Sequence, residues 1–354
     1  LYQLIKEIQQ GKSWDLWPAD LKMRDALSLK KIAVQHHLKL EELKWQQFVF
    51  EKQWQKLLRY ANSKGICIIG DIPFYVAYDS VDVWTNPSLF KLANDLKINF
   101  NAGVPPDYFN ASGQLWCMPT YNWKAHKAQK YSWWINRLRK NLTFFNLVRL
   151  DHFRAFESYW EVETRHKTAV NGAWKPGPGY DILRKFKHEF PDMPFIAEDL
   201  GSIAQAVLAL RDAFNLTGMK VLQFAFEDDM VISPHAIHQY TSQQFIVYTG
   251  THDNNTAKGW YKSLTTLQKR RLNDYTGKKV NLTNVHLVLM QLAFSATAKI
   301  CIVPMQDLLG LAETARLNTP ASTINNWIWR LNENKMSAKI SSWLKWNTEM
   351  YGRD

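Results

Sequence analysis

Short apolar runs that end in an acidic residue, separated by stretches of helical periodicity, constrain the fold of this chain more than any other feature. The runs at 66–69, 145–150, 195–197, 219–224, 245–248 and 299–303 read as six strands, and their alternation with helices is that of a parallel α/β sheet. Leu43, Phe50, Trp54, Leu57 and Ala61 recur at helical spacing, with Gly65 as a stop. A second helix is expected over 202–214, with Ser202 as its cap. A third, over 285–298, is apolar almost all round and so should be buried. The tail from 324 to 351 also reads as helix and carries Trp327, Trp329, Trp343 and Trp346.

Residues 73–131 fit neither period. Asn86-Pro87, Gly103, Pro105-Pro106, Gly113 and Pro119 interrupt the segment, and aromatic residues are scattered through it. It is too long for a plain loop in a compact domain. An aromatic-rich subdomain over 73–140 is therefore expected, inserted within one catalytic domain spanning 1–354. The chain has 44 Lys+Arg against 32 Asp+Glu, a formal net charge of +12. Its densest basic stretch, Lys124 to Lys140, is mixed with Trp133, Trp134 and Ile135, which fits an amphipathic helix with a solvated basic face and not a nucleic-acid stripe. The longest apolar stretch, 285–305, is broken by His286, Gln291, Ser295, Thr297 and Lys299 and does not suit a bilayer span. The first residues do not read as a signal peptide. Cys67, Cys117 and Cys301 are odd in number and lack CxxC spacing, which points to reduced thiols, no metal site and a cytoplasmic location.

Four of the strands lead into an acid: Asp71, Asp151, Glu198 and Asp253. A single Asp after a strand is most often a cap or turn residue. Four together suggest the mouth of a barrel, where burying a carboxylate is costly unless function repays it. Arg149 lies two residues before Asp151, so both should point to the same side of their strand, and His252 adds a donor beside Asp253. No Gly-x-Ser-x-Gly or His-Glu-x-x-His pattern competes. Carboxylates surrounded by Trp, Tyr and Phe suit glycosidic bond chemistry: one attacks, another delivers a proton, and aromatic faces stack on sugar rings.

The strings Gly70-Asp71-Ile72-Pro73-Phe74-Tyr75-Val76-Ala77 with Asp79-Ser80, Ala102-Gly103-Val104-Pro105-Pro106-Asp107-Tyr108-Phe109, Arg149-Leu150-Asp151-His152-Phe153-Arg154, Ala197-Glu198-Asp199-Leu200-Gly201 and Gly250-Thr251-His252-Asp253-Asn254-Asn255-Thr256 resemble the motifs of the amylomaltase family. These are the 4-α-glucanotransferases, or disproportionating enzymes, of the α-amylase clan. The resemblance runs in order from about Trp14 to Trp329. It implies a (β/α)8 TIM barrel that acts on malto-oligosaccharides and α-1,4-glucans without a cofactor. It also implies Asp151 as nucleophile, Glu198 as acid and then base, and Asp253 as the carboxylate that stabilises the transition state. Asp71, Arg149 and His252 would line the same subsite. Tyr108 and Trp116, on the loop after Pro105-Pro106, and Gln114 would contact glucose units, and Phe224 and Asn318 would flank the acceptor.

The family's first two barrel strands have no counterpart in this sequence. The visible strands are therefore expected to be the third to the eighth of an N-terminally incomplete barrel, with the insertion after the third. Ala155 stands where the family has Gly after His-Phe-Arg, and Ala321 stands in a Pro-Gly-Thr-like turn; either position could require a left-handed backbone. A catalytically inactive homologue that only binds glucan or a partner is the alternative reading.

Overall fold

A computed structural model describes every residue except 107–110, 202, 228, 321, 323 and 354, and of residue 333 only the backbone. The chain divides into two compact units, Leu1–Leu216 and Thr217–Asp354.

Among the described residues the first unit holds seven strands: β1 (Ile69–Ile72), β2 (Phe100–Val104), β3 (Gln114–Pro119), β4 (Leu147–Leu150), β5 (Ser158–Glu163), β6 (Gly172–Pro176) and β7 (Phe195–Ala197). β1, β4 and β7 form a parallel sheet in that order, with Asp71 opposite Arg149 and Leu150 opposite Ala197. All of β7, and β4 from Val148 onward, is buried, as parallel strands covered on both faces require. The remaining four strands form an antiparallel sheet in the order β3-β2-β5-β6. It combines the expected aromatic-rich segment with residues 158–176, which carried no strand expectation. The second unit has β8 (Gly218–Val221), β9 (Phe245–Tyr248) and β10 (Ile300–Ile302) in a parallel sheet ordered β10-β9-β8.

The six expected strands all exist, 195–197 and 245–248 with the expected ends and the other four with shifted ones. β1 begins three residues later than 66–69, because the main chain of Ile66 is used elsewhere: its N–H donates to Ala61 O and closes the helix His37–Ser63. Gly65 makes this turn at φ +73°, a conformation that glycine adopts without strain. Gly70 is glycine for another reason. A Cβ there would lie 2.1 Å from the Phe145 ring, which packs directly on the strand. The 219–224 run stops being a strand at Val221 and continues as the 3₁₀ turn Leu222–Phe226.

The helices depart further from expectation. Along His37–Ser63, Leu43, Leu58 and Ala61 are buried, whereas Phe50 and Leu57, expected on the inner face, are exposed. The basic stretch is two helices, Trp123–Ala128 and Ser132–Leu142, because Lys130 and Tyr131 take left-handed backbones between them. Its charges are solvated or paired: Lys127 with Asp181, Arg139 with Glu189, Lys140 with Glu51. The helix expected over 202–214 runs Gln205–Ala213 from an Ala204 N-cap; Ser202 is outside the described residues. The apolar segment forms Val285–Ser295 with Val285, Leu289, Met290 and Ala293 fully buried. In the tail the long helix is only Ala338–Met350, capped by Ser337, which leaves Trp327 and Trp329 outside it. Among the described residues no helix is long and apolar enough to cross a membrane.

Candidate active site

In the first unit the parallel ladder runs one residue past the strands, and that residue is an acid in two of them. Asp151 N–H donates to Ile72 O, and Glu198 N–H donates to Leu150 O, both at 3.1 Å. The two acids thus leave adjacent strands at equivalent positions, where neighbouring chains lie about 4.8 Å apart. Asp71, expected just beyond its strand, sits within β1.

Arg149 joins the carboxylates. Its Nη1 donates to both oxygens of Asp71 at 2.8 Å and lies 2.9 Å from Asp151 Oδ1, so the same-side expectation for Arg149 and Asp151 holds. The guanidinium side chain is only 10% exposed, against 43% for Asp71 and 41% for Asp151. A buried cation is thereby compensated by two carboxylates that still face solvent. The pairing holds the guanidinium pKa above its ordinary value despite burial.

Glu198 is in the opposite state. Burial pushes its carboxyl up to about 7 and the charge of Asp151 adds to this, while Arg149 and the amides of Leu200 and His152 pull the other way. Desolvation wins. Those amides fix the group in place: His152 N–H donates to Oε2 at 2.8 Å and Leu200 N–H to Oε1 at 2.9 Å. His152 reaches this position through a left-handed backbone, φ +49°, strain of a kind found at functional sites. Burial lowers its imidazole to about 3, so near neutrality the ring is uncharged, and it is the amide that holds Glu198. Ala155, in the following turn Phe153–Phe156, has no left-handed backbone.

Aromatic rings wall this site. Trp116, on β3 and not on a loop, stands edge-on to His152 at 5.0 Å and tilts against Tyr75 at 5.9 Å. Its Nε1–H donates to Gln114 Oε1 at 3.2 Å, so two of the three expected sugar-contacting residues bond each other. Tyr108 lies outside the described residues. Asp199, beside Glu198, is buried and bound to Arg211 of the next helix. Asp79 accepts from Tyr2 Oη–H, Trp14 N–H and Lys6. These two motif acids hold the fold together.

In the second unit the two ends of the loop after β9 are fastened to the helix Met305–Leu308 by the buried Asp307, which accepts from Thr249 Oγ1–H at 2.8 Å and Ala257 N–H at 2.7 Å. Asp253 stands on this loop. Its Oδ1 accepts from Asn318 Nδ2–H at 2.6 Å, and its Oδ2 lies 3.3 Å from His252 Nε2. The Trp327 ring tilts over His252 at 5.3 Å. Phe224 lies in the 3₁₀ turn after β8, edge-on to His235 at 5.4 Å. Among the described residues no group of three or more metal-ligating side chains occurs.

Two carboxyls at the ends of adjacent parallel strands, one held by arginine and one raised to about 7 by burial, are an arrangement that suits glycosidic bond chemistry on an α/β scaffold. The sequence profile of the 4-alpha-glucanotransferase family matches residues 1–336. The chain belongs to that family, glycosyltransferases acting on α-1,4-glucans. It is 44% identical to a 4-alpha-glucanotransferase of Aquifex aeolicus over 354 residues, which is 100% of this chain and 72% of the relative. A 4-alpha-glucanotransferase of Thermus thermophilus is 40% identical over 98% of this chain and 70% of its own. The solved amylomaltase of Streptococcus agalactiae in complex with acarbose superposes with a TM-score of 0.96 at 35% identity, covering 99% of this chain and 71% of that one.

His152 and Leu200, which stand inside the motifs but carried no expected role, hold Glu198 through main-chain N–H groups. A sequence carries no sign of such a role.

Proposed function

We propose that this chain transfers α-1,4-glucan segments between malto-oligosaccharides by a retaining double displacement, with Asp151 as nucleophile and Glu198 as acid and base. Asp151 attacks the anomeric carbon while Glu198 gives its proton to the glycosidic oxygen, and the leaving glucan departs with a free hydroxyl. An acceptor hydroxyl then returns a proton to Glu198. Its oxygen attacks the same carbon, and the Asp151 ester breaks to carboxylate. Two inversions give net retention.

The observation that carries this reading is the placement of Asp151 and Glu198 at equivalent ends of paired strands. A spacing near that of neighbouring strands suits a nucleophile and acid about 5 to 5.5 Å apart. The paired Arg149 keeps a hydrogen-bond donor on Asp151, and the raised pKa keeps the proton on Glu198. Asp253, with Asn318 and His252 addressing its two oxygens, is the third carboxylate in this reading and binds the sugar hydroxyls as charge develops on the ring. Asp71, Gln114, Trp116, Tyr108 and Phe224 are its substrate contacts. The three free thiols favour a cytoplasmic location.

The test is maltotriose. Transfer yields glucose together with longer malto-oligosaccharides, hydrolysis yields maltose and glucose, and an inert homologue yields nothing. Asp151→Asn should abolish all turnover. Glu198→Gln supplied with α-maltosyl fluoride, whose leaving group needs no acid, should accumulate a maltosyl ester on Asp151 visible by peptide mass spectrometry. Finding the ester on another residue would remove Asp151 from its role.

A further inference from the structure

A single guanidinium in the second unit ties together the two residues that present the Asp253 carboxylate. Arg316 Nη2–H donates to the main-chain carbonyl of Asp253 at 2.7 Å, and its Nε–H donates to the main-chain carbonyl of Asn318 at 2.8 Å. Asn318 in turn donates its side-chain N–H to Asp253 Oδ1 at 2.6 Å. The three residues form a closed circuit across 63 to 65 positions of chain. It joins the loop after β9 to the segment that follows the 3₁₀ turn Glu313–Ala315.

We infer that Arg316 is a positioning residue for the reaction: it sets the aim of the Asp253 carboxylate by bridging the backbones of Asp253 and Asn318. This rests on the reading of Asp253 as the third carboxylate. Arg316 donates only to carbonyls in these contacts and reaches Asp253 through its main chain, so its effect passes through geometry. The task requires arginine. A planar fork with fixed N–H directions can hold two carbonyls at a set separation, whereas a lysine ammonium is one point on a flexible stem. Such preorganisation matters most where charge develops in the transition state, because a carboxylate already aimed needs no rearrangement during the reaction. The rest of the loop shares this rigidity. Asn254 Oδ1 accepts from both Thr251 N–H and Thr251 Oγ1–H, and Asn255 Nδ2–H donates to Glu313 Oε1.

The experiment compares Arg316→Gln, Arg316→Lys and Arg316→Ala, with maltotriose kinetics expressed per folded molecule. The expected result is a fall of about 30- to 300-fold in kcat with KM changed less than about threefold, as loss of a transition-state interaction requires. Arg316→Lys should fall nearly as far as Arg316→Gln, and added guanidinium ion should restore part of the Arg316→Ala rate. Full activity in Arg316→Lys would overturn the inference, as would losses confined to KM or to the folded fraction. Asp253→Asn runs alongside. If it keeps wild-type activity, the reading of Asp253 falls, whereas a dead Asp253→Asn with an active Arg316→Lys removes only the role of Arg316.

Discussion

Glu198 carries two opposing demands, since it must be buried enough to keep a proton and polar enough to give it up. Its value near 7 is where burial and the charge of Asp151 outweigh Arg149 and two amide donors. An acid that must start protonated loses activity once it ionises, so kcat/KM should show its alkaline limb near pH 7. Replacing Arg149 with Met removes a cation that lowers Glu198, so the Glu198 titration should move upward, read directly by carboxyl-carbon NMR. An unchanged titration would mean that Arg149 does not act on Glu198. Stability follows the same linkage. The folded value lies above the ordinary 4.5, so this group's contribution to stability is fully present below about pH 4.5 and is lost as pH rises through about 7. The loss amounts to on the order of 3 kcal/mol. Glu198→Gln cannot ionise. Relative to wild type its Tm should therefore rise between pH 5 and pH 8, on top of a constant penalty for the one amide donor that Gln leaves unmatched. A flat difference would show that the shift is absent.

Elements succeed or fail by what their backbones can reach. β1 can lie flush with β4 only because Gly70 leaves room for the Phe145 ring. Gly70→Ala should therefore destabilise the first unit by about 1 to 3 kcal/mol and displace Asp71, the next residue, from Arg149. In a Phe145→Ala background the same substitution should cost less, and a double-mutant cycle on urea midpoints measures the coupling; strict additivity would mean that the contact is not the cause. The three-residue core of β7 and all of β9 were legible in the sequence because parallel strands buried on both faces are unbroken apolar runs. β1 was misplaced because Ile66 and Cys67 continue the apolar run while the main chain of Ile66 closes a helix. β5 and β6 escaped notice altogether. Ser158–Glu163 reads Ser-Tyr-Trp-Glu-Val-Glu, with two acids in its last three positions, and Glu161 is buried only because Lys91 and Thr120 bind it. Such long-range partners leave no periodic trace. In the site, the acids and Arg149 were legible from strand ends and spacing, whereas Trp116 was expected on a loop because the prolines before it obscure a strand.

At the scale of the molecule, the apolar surface left open is as informative as the site. The helices Ala26–Gln35 and His37–Ser63 expose Leu27, Val34, Leu38, Trp45, Phe48 and Tyr60, each at least 60% accessible. Scattered apolar residues are ordinary on a surface, but six so exposed on two successive helices, three of them aromatic, are unusual for a protein at rest in water. Lys39 with Glu42 and Lys44 with Glu41 keep these helices hydrated, and Lys52 and Lys64 stand over the Phe48 and Tyr60 rings at 5.5 and 5.9 Å without burying them. The folded chain should accordingly bind an anilinonaphthalene dye at neutral pH. Trp45→Glu with Phe48→Glu should lower that fluorescence several-fold while moving Tm by less than about 2 °C, because neither residue is packed in a core. A large fall in Tm would show instead that these rings contribute to folding. Unchanged fluorescence with an unchanged Tm would place the dye site elsewhere and deny this face its hydrophobic character.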